Sequence, residues 1–145
     1  MGKVMLKTPD EISLMRESSR IVAQVLQVLK GLIKPGVTTK ELDAVAEEFI
    51  RSQGAEPAFK GYGSNKHNLF PASLCVSIDD QVVHGIPGNR KLVEGEIVSV
   101  DVGVKKHGFF GDGAWTFPVG RVSGDKERLM KVTEESLFLG IAQAR

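Results

Sequence analysis

The sequence predicts an α+β domain in which an antiparallel sheet is covered on one face by helices. Three observations predict it. Two helix starts of the same design open the chain, at Thr8 and Thr38. The hydrophobic period changes after Pro57 from helical to alternating. Finally, the stretch Val98 to Gly120, VSVDVGVKKHGFFGDGAWTFPVG, reads as one β-hairpin rich in Val, Phe, Thr and Trp. At 145 residues the chain is long enough to bury a sizeable core, and residues 1–145 are read as a single domain.

Thr8-Pro9-Asp10-Glu11 is a capping box with proline at the first helical position. Ile12, Met15, Ile21, Val22, Val25, Leu26 and Leu29 then recur at helical spacing, and Pro35-Gly36 is expected to stop that helix. Thr38 with Glu41 starts a second helix, which carries Leu42, Val45, Ala46, Phe49 and Ile50 and ends at Gly54. Gly61 to Lys66 is a loop by composition. Ser73 to Ile78 and Gln81 to His84 read as short strands around an Asp79-Asp80 turn. Ile97–Val104 and Phe109–Val119 are the strongest strands. Gly124-Asp125 introduces a third helix with Leu129, Val132, Leu137 and Ile141, running to Arg145 without a cap. That abrupt end suggests a truncated or split chain.

Composition excludes several classes. Lys+Arg number 19 against 18 Asp+Glu, which leaves no basic excess for a nucleic-acid backbone. No apolar run is long enough to span a bilayer. The N-terminus MGKVMLKT has no signal-peptide apolar region, and Leu6 replaces the Ser or Thr of a myristoylation motif. The single cysteine, Cys75, rules out an intrachain disulfide and fits a reducing, cytoplasmic setting.

The chemistry centres on Asp101 and Asp112. A two-residue loop at Lys106-His107 would set them directly across from each other, with Cβ atoms about 4.5–5.5 Å apart. Opposed carboxylates repel, and a cation between them resolves the repulsion; hard oxygen donors suit Mn²⁺, Mg²⁺ or Co²⁺. A bulge at Gly108 would instead turn the two side chains to opposite faces unless a second irregularity, at Gly103 or Gly111, restored them. Asp112 also reads as part of a Gly-Asp-Gly turn. His84 precedes Gly85-Ile86-Pro87 and is either a strand-end histidine in solvent or a group that binds substrate, proton or metal. His67 and His107 are read as surface residues. Cys75 is read as a small buried hydrophobe, and Trp115 as a packed strand residue. Phe59, Tyr62 and Phe70 are either core edge or the wall of an apolar pocket.

Taken in order, AFKGYG, FPASLCVS, VVHGIPG, VSVDVG and GFFGD…TFPVG resemble the N-terminal half of the type 1 methionine aminopeptidases, over Lys7 to Arg145. The resemblance implies half of a pita-bread fold, in which two halves related by a pseudo-two-fold axis face each other across a divalent-metal site (Co, Mn, Fe, Zn or Mg). It implies that Asp101 and Asp112 are metal ligands and that His84 contacts the substrate at the scissile bond. It also implies that Phe59, Tyr62, Phe70 and Cys75 line the pocket for a methionine side chain. The implied partner is a peptide or protein N-terminus beginning with Met, with no nucleic acid and no membrane. In the family a histidine and two glutamates from the C-terminal half complete the shell, and this sequence lacks them. Gly113 departs from the Thr, Ser or Ala that often follows the second aspartate, which is expected to loosen the strand. Two readings follow: a metal-dependent aminopeptidase of which this is half the site, or a non-catalytic half-domain that self-associates as a homodimer.

Overall fold

The computed structural model describes residues 5–65 and 68–144; the expectations for Met1, Gly2, Lys66 and His67 lie outside them. The described residues form three helices, α1 (Pro9–Lys30), α2 (Thr39–Ser52) and α3 (Gly124–Gln143), with strands β1 (Glu56–Pro57), β2 (Leu74–Ile78), β3 (Ile97–Lys106) and β4 (Phe109–Pro118). Both capping boxes form as the sequence predicts. Thr8 accepts from the Glu11 amide while Glu11 reaches back to the Thr8 amide, and Thr38 and Glu41 repeat the pattern. α1 ends at Lys30 on a Gly31 cap, a turn earlier than Pro35-Gly36 implied. α2 ends at Ser52 on a Gln53 cap, followed by Gly54 at φ +65°, a left-handed position where glycine carries no Cβ penalty.

The sheet is antiparallel and centred on β3, which pairs β4 along its whole length on one side and β2 and β1 on the other. Side chains alternate across it. Val98, Val100, Val102 and Val104 of β3 point into the core with Leu74, Val76 and Ile78 of β2, where they meet Ile21, Val22, Val25 and Leu29 of α1 and Leu42, Ala46 and Ile50 of α2. Burying such aliphatic side chains contributes about 1.5–3 kcal/mol each before the entropy of ordering is subtracted. β4 brings α1 close by presenting glycines to it. A Cβ on Gly111 would lie 2.5 Å from the Ser19 amide nitrogen, and one on Gly113 would lie 3.1 Å from a Val22 methyl. Gly113 thus admits the helix rather than loosening the strand. The buried Ser18 hydroxyl closes the same contact by donating to the Phe109 carbonyl at 3.0 Å.

Two expectations are corrected. Gln81 to His84 is not a strand. The segment after it takes the edge of β2 instead, with the Val76 amide donating to the Gly85 carbonyl at 2.8 Å. Gly85 can lie there because a Cβ would collide with the Val76 carbonyl. The β3–β4 turn is His107-Gly108, at φ +52° and +80°, not Lys106-His107. Both residues have the positive φ of a type I′ turn, whose twist matches paired strands. No bulge intervenes in the ladder. No helix among the described residues is long and apolar enough to cross a membrane.

Candidate functional site

The sheet face turned away from α1 and α2 is polar. Alternation along β3 places Ser99, Asp101 and Gly103 on it. Their partners across the ladders are Ser77 and Thr116, Cys75 and Ala114, and, for Gly103, Asp112. The turn at His107-Gly108 therefore moves Asp112 from directly opposite Asp101 to the diagonal position on the same face, where Cα atoms lie about 7–8 Å apart. Asp112 stands inside β4 and is not a turn residue. Asp112 is exposed, whereas Asp101 is half-buried.

Asp101 is the anomaly of this face. Its Oδ1 is buried and has no hydrogen-bond partner among the described residues. Burial pushes its carboxyl above the usual carboxylate range, and the charge of Asp112 adds to the rise. His84 and a backbone hydrogen bond from Val102 oppose it. An unsatisfied buried oxygen is unfavourable by about 1–3 kcal/mol, so the fold holds an acceptor aimed at something it does not itself supply. His84 reaches the same region at φ +61°. A non-glycine residue in that conformation carries strain on the order of 1 kcal/mol. The position is fixed by the next residue, because the Gly85 amide donates to the Ser77 hydroxyl at 3.1 Å while its carbonyl pairs with β2.

A cleft of about 670 Å³ opens over this face. Its floor includes Ser77, Ser99, Asp101 and Thr116, its rim Val82, Val83 and His84, and its far wall one side of α3, Leu129, Met130, Thr133, Glu134 and Leu137. The Ser99 and Thr116 hydroxyls bond each other at 2.8 Å across the strands. Trp115 lies within β4 opposite Val100, which puts its side chain on the α1 side of the sheet, where 37% of it is exposed.

The aromatic candidates lie at the other end of the face. Phe59 covers Gly103; a Cβ there would come within 2.6 Å of its ring. This puts Phe59 beside the position between Asp101 and Asp112. Tyr62 and Phe70 are joined through their backbones, the Phe70 amide donating to the Tyr62 carbonyl at 2.9 Å, yet the Tyr62 side chain is 77% exposed. Carboxylates of α2 anchor this loop. Asp43 accepts from the Ser73 and Leu74 amides at 2.9 and 2.8 Å, and Glu47 holds Lys60 at 2.6 Å. Cys75 is buried, as expected. His107 is exposed, as expected, with Nε2 3.5 Å from Glu17.

Asp101, Asp112, His84, Phe59 and Cys75 are thus gathered on or around one face, while the Tyr62 ring stands out from it. The sequence reading missed the hydroxyl row Ser77, Ser99 and Thr116, although Ser99-Val100-Asp101 alternation points to a shared face. It also missed the His107-Gly108 turn, whose signal was the glycine itself. For a divalent cation the donors fit in kind, being hard carboxylate oxygens with one of them unsatisfied. They do not complete a shell: among the described residues, no group of three or more His, Cys, Asp or Glu side chains is arranged to hold a metal ion.

The sequence profile of metallopeptidase family M24 matches residues 13–145. Methionine aminopeptidase 1 of Bacillus subtilis is 52% identical over 142 residues, covering 98% of this chain and 55% of that protein. The methionine aminopeptidase of Clostridium perfringens is 50% identical over 142 residues, covering 97% of this chain and 55% of that protein. The crystal structure of methionine aminopeptidase from Thermotoga maritima superposes with a TM-score of 0.91 at 36% identity, over 99% of this chain and 56% of that one. The chain spans about half the length of the curated relatives it matches. The helices and antiparallel sheet described above are the α+β arrangement that these structures share with it.

Proposed function

This chain belongs to metallopeptidase family M24, and on that footing we propose that it forms one side of a divalent-metal site that removes the N-terminal methionine from peptides and nascent proteins. The observation that carries the reading is Asp101 Oδ1, buried without a partner and diagonal to a second carboxylate on the same face. Asp101 and Asp112 would hold the cation, of the Co, Mn, Fe, Zn or Mg class. When bound, it supplies Lewis-acid polarisation of the peptide carbonyl. His84, held at the rim by Gly85, orients the scissile bond by hydrogen bonding. Phe59, Phe70 and Cys75, with Tyr62 closing from its exposed loop, give the apolar contact that a thioether side chain needs. The buried, single Cys75 supports a cytoplasmic location.

Calorimetric titration of the chain with Mn²⁺ tests the site: binding is expected, and its retention in Asp101→Asn would overturn the assignment. Two carboxylates leave most of a metal shell to water and provide no separate general base. A dilute monomer is therefore expected to hydrolyse no methionyl peptide appreciably, and turnover by a sample of verified monomeric mass would defeat that expectation.

A second reading, a non-catalytic half-domain that self-associates, is favoured by α3. None of its residues is buried, and Leu129, Val132, Leu137, Phe138, Leu139 and Ile141 are exposed. With Val82 and Val83, exposed and on the same cleft, they make the kind of apolar surface that rarely stays bare. The apolar surface belongs to this loop and helix, because the sheet face itself is polar. A homodimer pairing like patches about a two-fold axis covers it and brings two copies of Asp101 and Asp112 together. Light scattering with and without Mn²⁺ or Co²⁺ tests this: a dimer strengthened by metal is expected, and a monomer at high concentration with metal present would refute it.

A further inference from the structure

Two acidic side chains of α2, Asp43 and Glu47, stand one turn apart on the same helix face, and both reach the loop that joins β1 to β2. Asp43 Oδ1 takes the exit of that loop, accepting from the consecutive amides of Ser73 and Leu74 at 2.9 and 2.8 Å. Glu47 takes both ends. Its Oε1 is occupied by Arg51, whose Nε and Nη2 donate to it at 2.9 and 2.8 Å. Its Oε2 accepts from the Lys60 ammonium at 2.6 Å and from the Ser73 hydroxyl at 3.2 Å. One carboxylate oxygen therefore joins the entry of the loop to its exit. Ser73 is fully buried, so that end of the link is shielded from water. The Lys60 bond holds the Glu47 carboxyl below its usual range, against the opposing effect of burial, so the clip is ionised at neutral pH. The residues beside the clip are candidate pocket walls. Phe59 precedes Lys60 and covers Gly103, and Cys75 follows Ser73-Leu74 into β2. Within the loop the Gly61 amide donates to the Phe70 carbonyl at 2.8 Å and the Phe70 amide to the Tyr62 carbonyl at 2.9 Å, so the two ends carry Tyr62 and Phe70 as one unit.

We propose that Glu47 is a positioning residue for side-chain selectivity: by clipping Lys60 to Ser73 it fixes the spacing between the Phe59 side and the Cys75 side of the pocket, and so the apolar side chain that the pocket prefers. The proposal rests on the reading of these residues as the pocket for a methionine side chain. Asp43 alone pins the exit of the loop to α2. It leaves the entry tied upstream of Phe59, where the Ala58 amide donates to the Gly103 carbonyl at 2.9 Å. A hydrophobic pocket discriminates by a methylene or two only through close contact with its walls. A wall free to drift therefore loses selectivity between side chains before it loses hold of the groups they share, and a supporting contact behind the wall is what prevents the drift.

The test compares the wild-type chain with Glu47→Gln, which keeps shape, with Lys60→Met, which keeps the aliphatic stem, and with the double variant. Nuclear magnetic resonance reads two quantities: hydrogen exchange at individual amides, and the affinities for methionine amide and alanine amide titrated in the presence of Mg²⁺. The wild-type chain is expected to prefer methionine amide. In each single variant the Gly61 and Phe70 amides are expected to exchange about tenfold faster, with β3 and α1 unchanged, and the preference for methionine amide to fall about fivefold. The double variant is expected to fall no further than the worse single one, because both remove the same link, and Lys60→Arg to recover part of the preference. Unchanged exchange at Gly61 and Phe70 would overturn the clip. Equal acceleration over β3 and α1 would also overturn it, because Glu47 would then support the whole fold. Faster loop exchange with the preference intact would overturn the positioning role. A wild-type chain without any preference would instead overturn the methionine-pocket reading, and the proposal with it, even where the loop amides respond as expected.

Discussion

Cys75 lies directly across from Asp101 in the β2–β3 ladder, with only 5% of its surface exposed. Burial pushes the thiol up to about 11, and the charges of Asp101, Asp112 and Asp43 add to the rise. The thiolate is the reactive form, so Cys75 is expected to resist iodoacetamide at neutral pH while the fold is intact and to react in denaturant. In Asp101→Asn the thiol is expected to titrate below about 11 and still above the ordinary 9.0, because burial is the larger cause. Thiolate absorbance across an alkaline titration reads both outcomes, and a neutral-pH reaction as fast as that of the unfolded chain would contradict them.

Asp101 weakens the metal-free fold when ionised. Its folded pKa is raised, so the folded state holds the proton more tightly than the unfolded state. The penalty is absent below the unfolded value of about 3.9 and complete once pH exceeds the folded value. Asp101→Asn is therefore expected to stabilise the metal-free chain at neutral pH by up to about 1 kcal/mol, with the gain shrinking under acid. Asp112→Asn, exposed and diagonal, is expected to change less. Urea denaturation at pH 7 and pH 4 measures both.

Asp79, which accepts from Lys126 and from the Ile97 amide, has the opposite sign. Lys126 holds its carboxyl below the usual range, helped by the Ile97 amide. A depressed carboxylate contributes stability that is present above the unfolded value and lost as pH falls through the lower folded one. The pair is partly exposed, so its contribution is expected to be under about 1 kcal/mol and to fall with salt. Asp79→Asn should accordingly lower the melting temperature at neutral pH, by an amount that vanishes in strong acid.

Gly111 and Gly113 separate two kinds of close approach. At Gly111 an added methyl meets Ser18 and Ser19 backbone at 2.5–2.8 Å, and backbone cannot rotate away. Gly111→Ala is expected to cost about 1–3 kcal/mol by lifting α1 from the sheet. At Gly113 the neighbour is one Val22 methyl at 3.1 Å, which can shift, so Gly113→Ala is expected to cost less than about 1 kcal/mol. Equal losses in chemical denaturation would contradict this reading of the α1–β4 contact.

The sequence by itself determined what local chemistry controls. Thr8 and Thr38 cap their helices because each bond spans three residues, and neither needs the rest of the fold. The alternation of β3 was equally local, and it sent Val98, Val100, Val102 and Val104 to one face and Asp101 to the other. The family motifs, from AFKGYG to GFFGD, named the candidate site residues. Register was legible only in part: the two aspartates share a face under either two-residue turn, but their pairing turned on which residues adopt positive φ. The tertiary structure alone decided that Gly85 lies on the edge of β2, where His84 is carried left-handed to the cleft rim instead of extending a strand. It alone stranded Asp101 Oδ1 without a partner, because burial is the sum of contacts from β2, β4 and the loops, and no single segment of the chain encodes that sum.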